Sequence, residues 1–315
     1  MKVGFIDEVH PILWERLSDA GMECIHLENE SEENIRKVIE GFDGIVIRSR
    51  IKMNADFLKL ATKLKFIARS GAGMENIDLD FCAAQNIICF NSPEGNKQAV
   101  AEHGLGMLLM LFNKLKQGDV EVRNGLWSRD ENRGEELASK TVGIVGYGNM
   151  GQAFAKILSG VGCKVVAYDK YKQGFGDEYV KEVALLDLQE QADILSLHLP
   201  QTPETHYWLN ESRINSFEKS IVLLNTARGK NVDTSALVAG LKTGKITGAC
   251  LDVLEYEKAS FENLNTNQLP ADWQYLIQSD KVIFSPHVAG WTKESYVKLS
   301  SFLADKILKE FQPEK

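Results

Sequence analysis

Short apolar runs bounded by turn residues alternate along the chain with longer amphipathic stretches, which is the pattern of a parallel α/β architecture. Eleven runs read as strands. Five come early, at 3–6, 23–27, 44–47, 65–68 and 87–90, and six come later, at 142–145, 164–168, 194–197, 221–224, 248–251 and 282–284. Between the two sets, 100–112 is apolar on nearly every face, so it predicts a helix buried all round. From Thr292 the chain reads as a helix with Thr292 as N-cap and Tyr296, Leu299, Leu303, Ile307 and Phe311 on one stripe. The later six strands already form a sheet, so this helix is expected to cross back onto the earlier one. Two domains follow, the first discontinuous: 1–98 plus 289–315, and 99–288. A loop over 258–280 is longer than most connections and is a candidate for function or insertion.

Composition narrows the partners. A net charge of −8 over 315 residues disfavours nucleic acid, which needs clustered Lys and Arg. Five scattered cysteines, without a C-x-x-C spacing, argue against a disulfide framework and against a metal site. The first residues meet Asp7 before any apolar leader, and the longest purely apolar run, 107–112, is far below membrane-spanning length. The expectation is a cytoplasmic protein with no membrane partner.

The strand at 142–145 runs directly into Gly146-Tyr147-Gly148-Asn149-Met150-Gly151 and then into a helical stretch. In such a G-x-G-x-x-G turn the first glycine makes the tight turn, the second lets a pyrophosphate approach, and the third permits close helix–strand contact. The free N–H groups of the helix's first turn then hold the diphosphate. Asp169 ends the next strand, where a carboxylate accepts both ribose hydroxyls of an adenosine and repels a 2′-phosphate. The predicted cofactor is therefore NAD rather than NADP, with Lys170 and Lys172 close enough to soften the preference. The later domain is the NAD-binding one, and both domains are expected to be Rossmann-like, the first a flavodoxin-like substrate domain.

Transferring a hydride at C2 of a hydroxy acid needs a cation for the substrate carboxylate, a proton carrier for the C2 oxygen, and a group that tunes the carrier. Arg228, after the strand at 221–224, offers a planar fork for a carboxylate. His287, after the strand at 282–284 and before a glycine-containing loop, is the natural proton carrier near neutral pH. His198 also ends a strand and is its rival, whereas His103 reads as a core histidine. Asp252, Glu255 and Glu257 all follow the strand at 248–251, and spacing does not choose among them as the partner of His287.

Taken together, Val100-Ala101-Glu102, the glycine turn, Asn225-Thr226-Ala227-Arg228-Gly229, the 248–253 run with Glu257, and Ser285-Pro286-His287 make the chain resemble the D-isomer-specific 2-hydroxyacid dehydrogenases, most closely the short phosphoglycerate dehydrogenases. The resemblance implies Glu257 as the partner of His287, Arg228 on the substrate carboxylate, and Asp252 on the nicotinamide side. It places Asn149, Met150, Asp169, Leu199, Thr226, Ala227 and Gly290 around the cofactor. Substrate contacts fall on Arg48, Ser49, Ser70, Gly71, Ala72 and Gly73, and the family implies a homodimer joined through the coenzyme domain. Two departures stand out: Lys258 replaces a proline common after the catalytic Glu, and Trp291 replaces a smaller residue.

The expected function is NAD-dependent D-3-phosphoglycerate dehydrogenase, the first step of serine biosynthesis, with Arg48 and Arg50 offering positive charge to a phosphate. Alternatives are glyoxylate or hydroxypyruvate reductase and D-lactate dehydrogenase. From a different class comes an NAD-sensing corepressor-like binding protein, which the presence of Arg228, Glu257 and His287 disfavours.

Overall fold

The computed structural model describes residues 1–257 and 270–311. The chain divides into two compact units, Met1–Lys97 joined by the chain from Trp291 onward, and Gln98–Gly290. In the first unit, β1 (Lys2–Phe5), β2 (Glu23–His26), β3 (Gly44–Ile47), β4 (Phe66–Arg69) and β5 (Ile88–Phe90) form a parallel sheet in the order β2-β1-β3-β4-β5. The connections carry α1 (Pro11–Asp19), α2 (Glu32–Val38), α3 (Ala55–Leu58) and α4 (Leu79–Ala84). All four residues of β3 are buried, as a strand covered on both faces of a parallel sheet requires.

The second unit follows α5 (Lys97–Phe112) and α6 (Leu115–Arg123) with β6 (Thr141–Val145), α7 (Asn149–Ser159), β7 (Lys164–Tyr168), β8 (Lys181–Glu182), α8 (Leu185–Gln191), β9 (Ile194–Leu197), α9 (Glu211–Asn215), β10 (Ile221–Asn225), α10 (Thr234–Thr243), β11 (Ile246–Leu251), α11 (Ala271–Gln278) and β12 (Val282–Phe284). The sheet order is β12-β11-β10-β9-β6-β7-β8, parallel throughout. The order reverses at β6, so the loops after β6 and β9 flank the switch point where ligands of open α/β sheets bind.

The chain then returns to the first unit as α12 (Lys293–Phe311). Thr292 caps it: Ser295 N donates to Thr292 Oγ1 at 3.0 Å and Thr292 N donates to Ser295 Oγ at 2.9 Å. Leu303 and Ile307 are fully buried against Val3, Phe5, Leu13 and Phe66. Burial of each such side chain contributes about 1.5–3 kcal/mol. Arg16 to Asp305 at 2.7 Å and Lys306 to Glu94 at 3.0 Å fix the same helix at its polar edges.

Three details differ from the sequence reading. A seventh strand, β8, joins the second sheet as a two-residue polar edge, too short and too hydrophilic to show any period. Helix α5 is not buried all round: Ala101, Met107 and Leu108 enter the core, while Glu102, Gly106 and Met110 form an exposed stripe at i, i+4 and i+8. The loop expected over 258–280 contains α11, which buries Trp273 and Leu276, while 258–269 lies outside the described residues. Among the described residues, no helix is long and apolar enough to cross a membrane.

Candidate active site

At the end of β6 the chain turns through Gly146 at φ +92°, a conformation that disfavours any side chain, and a Cβ there would also meet His198 O at 2.5 Å. Gly151 is equally constrained, since its Cβ would stand 2.2 Å from Gly146 O. Gly148, by contrast, caps α7 and faces open space, which leaves its backbone approachable by a diphosphate. Asn149 and Met150 begin α7 and present its first-turn N–H groups. Leu199, after β9, packs on the core beside the same turn.

Asp169 follows β7, and its two carboxylate oxygens organise this corner. Oδ2 accepts from Tyr147 N at 2.8 Å, while Oδ1 accepts from Tyr171 N at 2.9 Å and Lys172 N at 3.0 Å. The remaining lone pair, on Oδ2, is free to accept from a ribose hydroxyl. The neighbouring cations have partners: Lys170 pairs with Glu204, and Lys172 Nζ donates to Tyr147 O at 2.9 Å. An open glycine turn, a helix N-terminus and an acid beside it are the donor and acceptor set that a dinucleotide needs.

Arg228 leaves the end of β10 after Thr226 and the buried Ala227. Asn225 shapes this turn by accepting from Ala227 N at 3.1 Å and donating to Arg228 O at 3.0 Å. Arg228 Nη1 donates to Ala227 O at 2.7 Å.

The segment after β11 begins at Asp252, which is 1% exposed. Its carboxylate accepts from Ser285 Oγ at 2.5 Å, Val288 N at 2.9 Å and Ala289 N at 2.9 Å, and its carbonyl accepts from His287 N at 2.8 Å. Four bonds from one residue therefore hold the loop after β12. That over-determination matters because His287 sits at φ +53°, a strained region for a residue with a Cβ. His287 Nδ1 meets Glu257 Oε2 at 2.9 Å. Gly290 closes the loop and the unit.

His198, the rival, is differently placed. Its Nε2 meets Ser196 Oγ at 2.9 Å, its ring lies 5.5 Å from Phe154, and burial pushes its pKa down to about 4. It is neutral at working pH. His103 Nε2 meets Ser285 Oγ at 2.8 Å and so joins the Asp252 network, a connection that a strand-by-strand reading has no means to reveal.

In the first unit, Arg48 follows β3 with its guanidinium 4.1 Å over the Trp291 ring and its N–H on Asp7 Oδ2 at 2.5 Å. Ser49 is next to it and half-buried. Arg50, expected to offer positive charge to a phosphate, is exposed and hydrogen-bonded within the unit: Nε donates to Asp7 at 3.2 Å, and the Nη atoms donate to Glu30 O at 2.8 Å, Leu27 O at 3.2 Å and Ile6 O. Those bonds tie the ends of β1 and β2 together and engage its donors, although the residue itself stays exposed. Sequence reasoning missed Arg69, which ends β4 with its guanidinium against Gly71, where a Cβ would stand 2.3 Å from Nη1. The loop around it is braced by Ser70 N on Ile47 O at 2.9 Å, Ser92 N on Gly71 O at 3.0 Å and Asn91 Nδ2 on Ala72 O at 2.6 Å, with Gly73 following.

Residues 105–289 match a family model, the NAD binding domain of D-isomer specific 2-hydroxyacid dehydrogenases. The chain is 33% identical over 285 residues to a hydroxypyruvate reductase of Thermotoga maritima, covering 90% of this chain and 89% of that protein. It is 32% identical over 280 residues to a D-3-phosphoglycerate dehydrogenase of Archaeoglobus fulgidus, covering 88% of this chain but 51% of that protein, so it spans about half of that relative's length. The crystal structure of a D-lactate dehydrogenase from Aquifex aeolicus, complexed with NAD and lactic acid, aligns with a TM-score of 0.81 at 30% identity, covering 99% of this chain and 95% of that one. With the fold, the glycine turn and these relatives in agreement, the chain belongs to the D-isomer-specific 2-hydroxyacid dehydrogenases, a family of NAD-dependent oxidoreductases.

Proposed function

We propose that this protein interconverts a D-2-hydroxy acid and its 2-oxo acid, with Arg228, Glu257 and His287 as its catalytic residues. The observation that carries the reading is the Glu257–His287 contact at 2.9 Å. A carboxylate at Nδ1 selects the tautomer with the proton on that nitrogen, so Nε2 is the atom that exchanges a proton with the substrate's C2 oxygen. When His287 is protonated, the same carboxylate stabilises the imidazolium until the proton is delivered. Arg228 grips the substrate carboxylate, each charged hydrogen bond contributing about 1.5–3 kcal/mol. Gly146, Gly148, Asn149, Met150, Gly151, Asp169, Leu199, Thr226, Ala227 and Gly290 would hold NAD, which when bound would supply the hydride exchange at C2. Asp252 serves by fixing the His287 loop.

The proposed natural pair is D-3-phosphoglycerate and 3-phosphohydroxypyruvate, which would make this the entry step to serine. Arg48, Ser49 and the loop of Ser70, Gly71, Ala72 and Gly73, now with Arg69 beneath it, supply the groups for a phosphorylated substituent. Hydroxypyruvate is the second reading. Two observations favour it: Arg50 is occupied within the fold, and the Thermotoga maritima reductase is covered over 89% of its length. Steady-state NADH oxidation with 3-phosphohydroxypyruvate, hydroxypyruvate, glyoxylate and pyruvate separates them. A higher kcat/KM on any unphosphorylated acid removes phosphoglycerate as the substrate.

The proposed working unit is a cytoplasmic homodimer joined through the coenzyme unit. Its five cysteines are free thiols, in keeping with a reducing compartment. Leu115, Val120, Val122, Leu126 and Trp127 lie exposed on and just after α6, the last at 78%, and we propose Trp127 and its neighbours as part of the surface that a second copy covers.

A further inference from the structure

The segment that carries Glu257 has few bonds of its own. Between Asp252 and Glu257 it forms an irregular turn, closed by Glu257 N on Leu254 O at 3.3 Å. Besides the Asp252 bonds and the Glu257–His287 contact, two further contacts among the described residues hold it from outside. Leu254 and Glu255 press their backbone against Gly229, the residue after Arg228, where a Cβ would stand 1.9 Å from Leu254 O and 2.5 Å from Glu255 N. The Glu255 carboxylate then reaches across: Oε2 accepts from Thr234 N, the first residue of α10, at 3.2 Å, and Oε1 accepts from the Tyr207 hydroxyl.

Tyr207 is itself unusual. It adopts φ +49°, a conformation costly for a bulky side chain. Its backbone N–H donates to Lys230 O at 2.8 Å, which docks the 205–209 turn onto the turn that follows Arg228. Three segments thus meet at the Glu255 carboxylate: the 205–209 turn, the start of α10, and the strand-end that leads to Glu257. The space beneath, lined by Asn225, Gly229, Thr234, Glu255 and Trp273, holds about 10 Å³, enough for one water and no ligand.

We infer that Glu255 and Tyr207 are positioning residues, a clasp that holds the 252–257 segment on the Arg228 turn so that the Glu257 carboxylate reaches His287. The inference rests on the proposed acid–base role of the Glu257–His287 pair. A carboxylate that floats loses its grip on the imidazole, and a displacement of about 1 Å in such a constellation costs as much as about 100-fold in rate.

The test uses the full chain with NADH and the best 2-oxo acid found for it. Glu255→Ala is expected to lower kcat by about 10- to 100-fold per NADH-binding site, leave the Kd for NADH and the KM for the oxo acid within about twofold, and raise the solvent deuterium isotope effect as proton delivery becomes limiting. Glu255→Gln, which keeps an acceptor oxygen, is expected to recover most of the rate, and Tyr207→Phe to show the same isotope-effect change at smaller amplitude. A general loosening of the fold would reduce the number of NADH sites and leave the isotope effect per site alone, and that outcome overturns the clasp. So does wild-type kcat in both Glu255→Ala and Tyr207→Phe; if Glu255→Ala does not fold, Tyr207→Phe and Glu255→Gln decide. His287→Gln is the control that separates the two levels: undiminished turnover there removes the acid–base reading itself, whereas lost turnover there with an unaffected Glu255→Ala removes only the clasp.

Discussion

His287 Nδ1 and Glu257 Oε2 stand 2.9 Å apart although 30 residues separate them in the chain. The contact brings together two loops that follow neighbouring strands, β11 and β12. Glu257→Gln keeps the shape and an acceptor oxygen but removes the charge that favours the imidazolium. Expected is a fall in kcat of about 100-fold, in the range for a compromised general acid–base pair, with the Kd for NADH unchanged in a fluorescence titration. Near-wild-type kcat would remove the carboxylate's electrostatic role.

Asp252 makes a separate prediction because it touches the loop through several acceptors at once. In Asp252→Asn, an NH2 group replaces one oxygen and faces donors at Ser285, Val288 or Ala289. Leaving one buried donor unmatched costs about 1–3 kcal/mol. Thermal unfolding should show a lower Tm, and turnover should fall with it, because the same bonds hold His287 at φ +53°. An unchanged Tm would mean that the loop is held by something else.

The local part of this site was legible in the residues themselves, whereas the non-local part was reached only through the family resemblance, which implied Glu257 as the partner of His287. A G-x-G-x-x-G turn announces itself because the requirements at Gly146 and Gly151 are met within a few residues of chain. The choice among Asp252, Glu255 and Glu257 was invisible to spacing, because it depends on partners from other segments: Ser285 and the His287 loop for Asp252, Tyr207 and Thr234 for Glu255, His287 for Glu257. Arg50 shows the converse. Its strand-end location suggested an uncommitted charge, yet four acceptors from β1 and β2 and their loops engage its donors while the residue stays exposed, and no pattern of hydropathy encodes which acceptors a long side chain finds. Strand β8 was missed for a simpler reason: two polar residues carry no period.

Cofactor choice is tested at Asp169. The residue holds Tyr147, Tyr171 and Lys172 N–H groups and, in the proposed complex, a ribose hydroxyl. Asp169→Ala should reduce kcat/KM for NAD(H) by about 10- to 100-fold, the equivalent of one or two charged hydrogen bonds, while relieving repulsion of a 2′-phosphate. The NAD/NADP ratio of kcat/KM therefore falls by at least about tenfold. An unaltered ratio would take the adenosine ribose away from this carboxylate.

Trp127 tests the proposed assembly. A charge placed at the exposed Trp127, after α6, is tolerated by a monomer but must be buried by a dimer that uses this surface. Trp127→Glu should therefore shift the mass measured by light scattering toward one chain while leaving the monomer's far-UV spectrum intact. A variant that keeps the wild-type mass would place the interface elsewhere.

His198 ties stability to pH. Burial pushes its imidazole down to about 4, because it penalises the charged form, against about 6.5 in an unfolded chain. Above pH 6.5 both states are neutral and the group contributes no slope. Between pH 6.5 and about 4 the unfolded chain takes up a proton that the native chain refuses, so stability falls with falling pH. Below pH 4 both states are protonated and the loss stops. His198→Gln cannot titrate, so urea unfolding of the apoprotein between pH 6.5 and 5, above the range where most carboxylates protonate, should show a shallower slope than the wild type. Parallel curves would mean that water reaches the ring, and a hydrated His198 would again compete with His287 as a proton carrier.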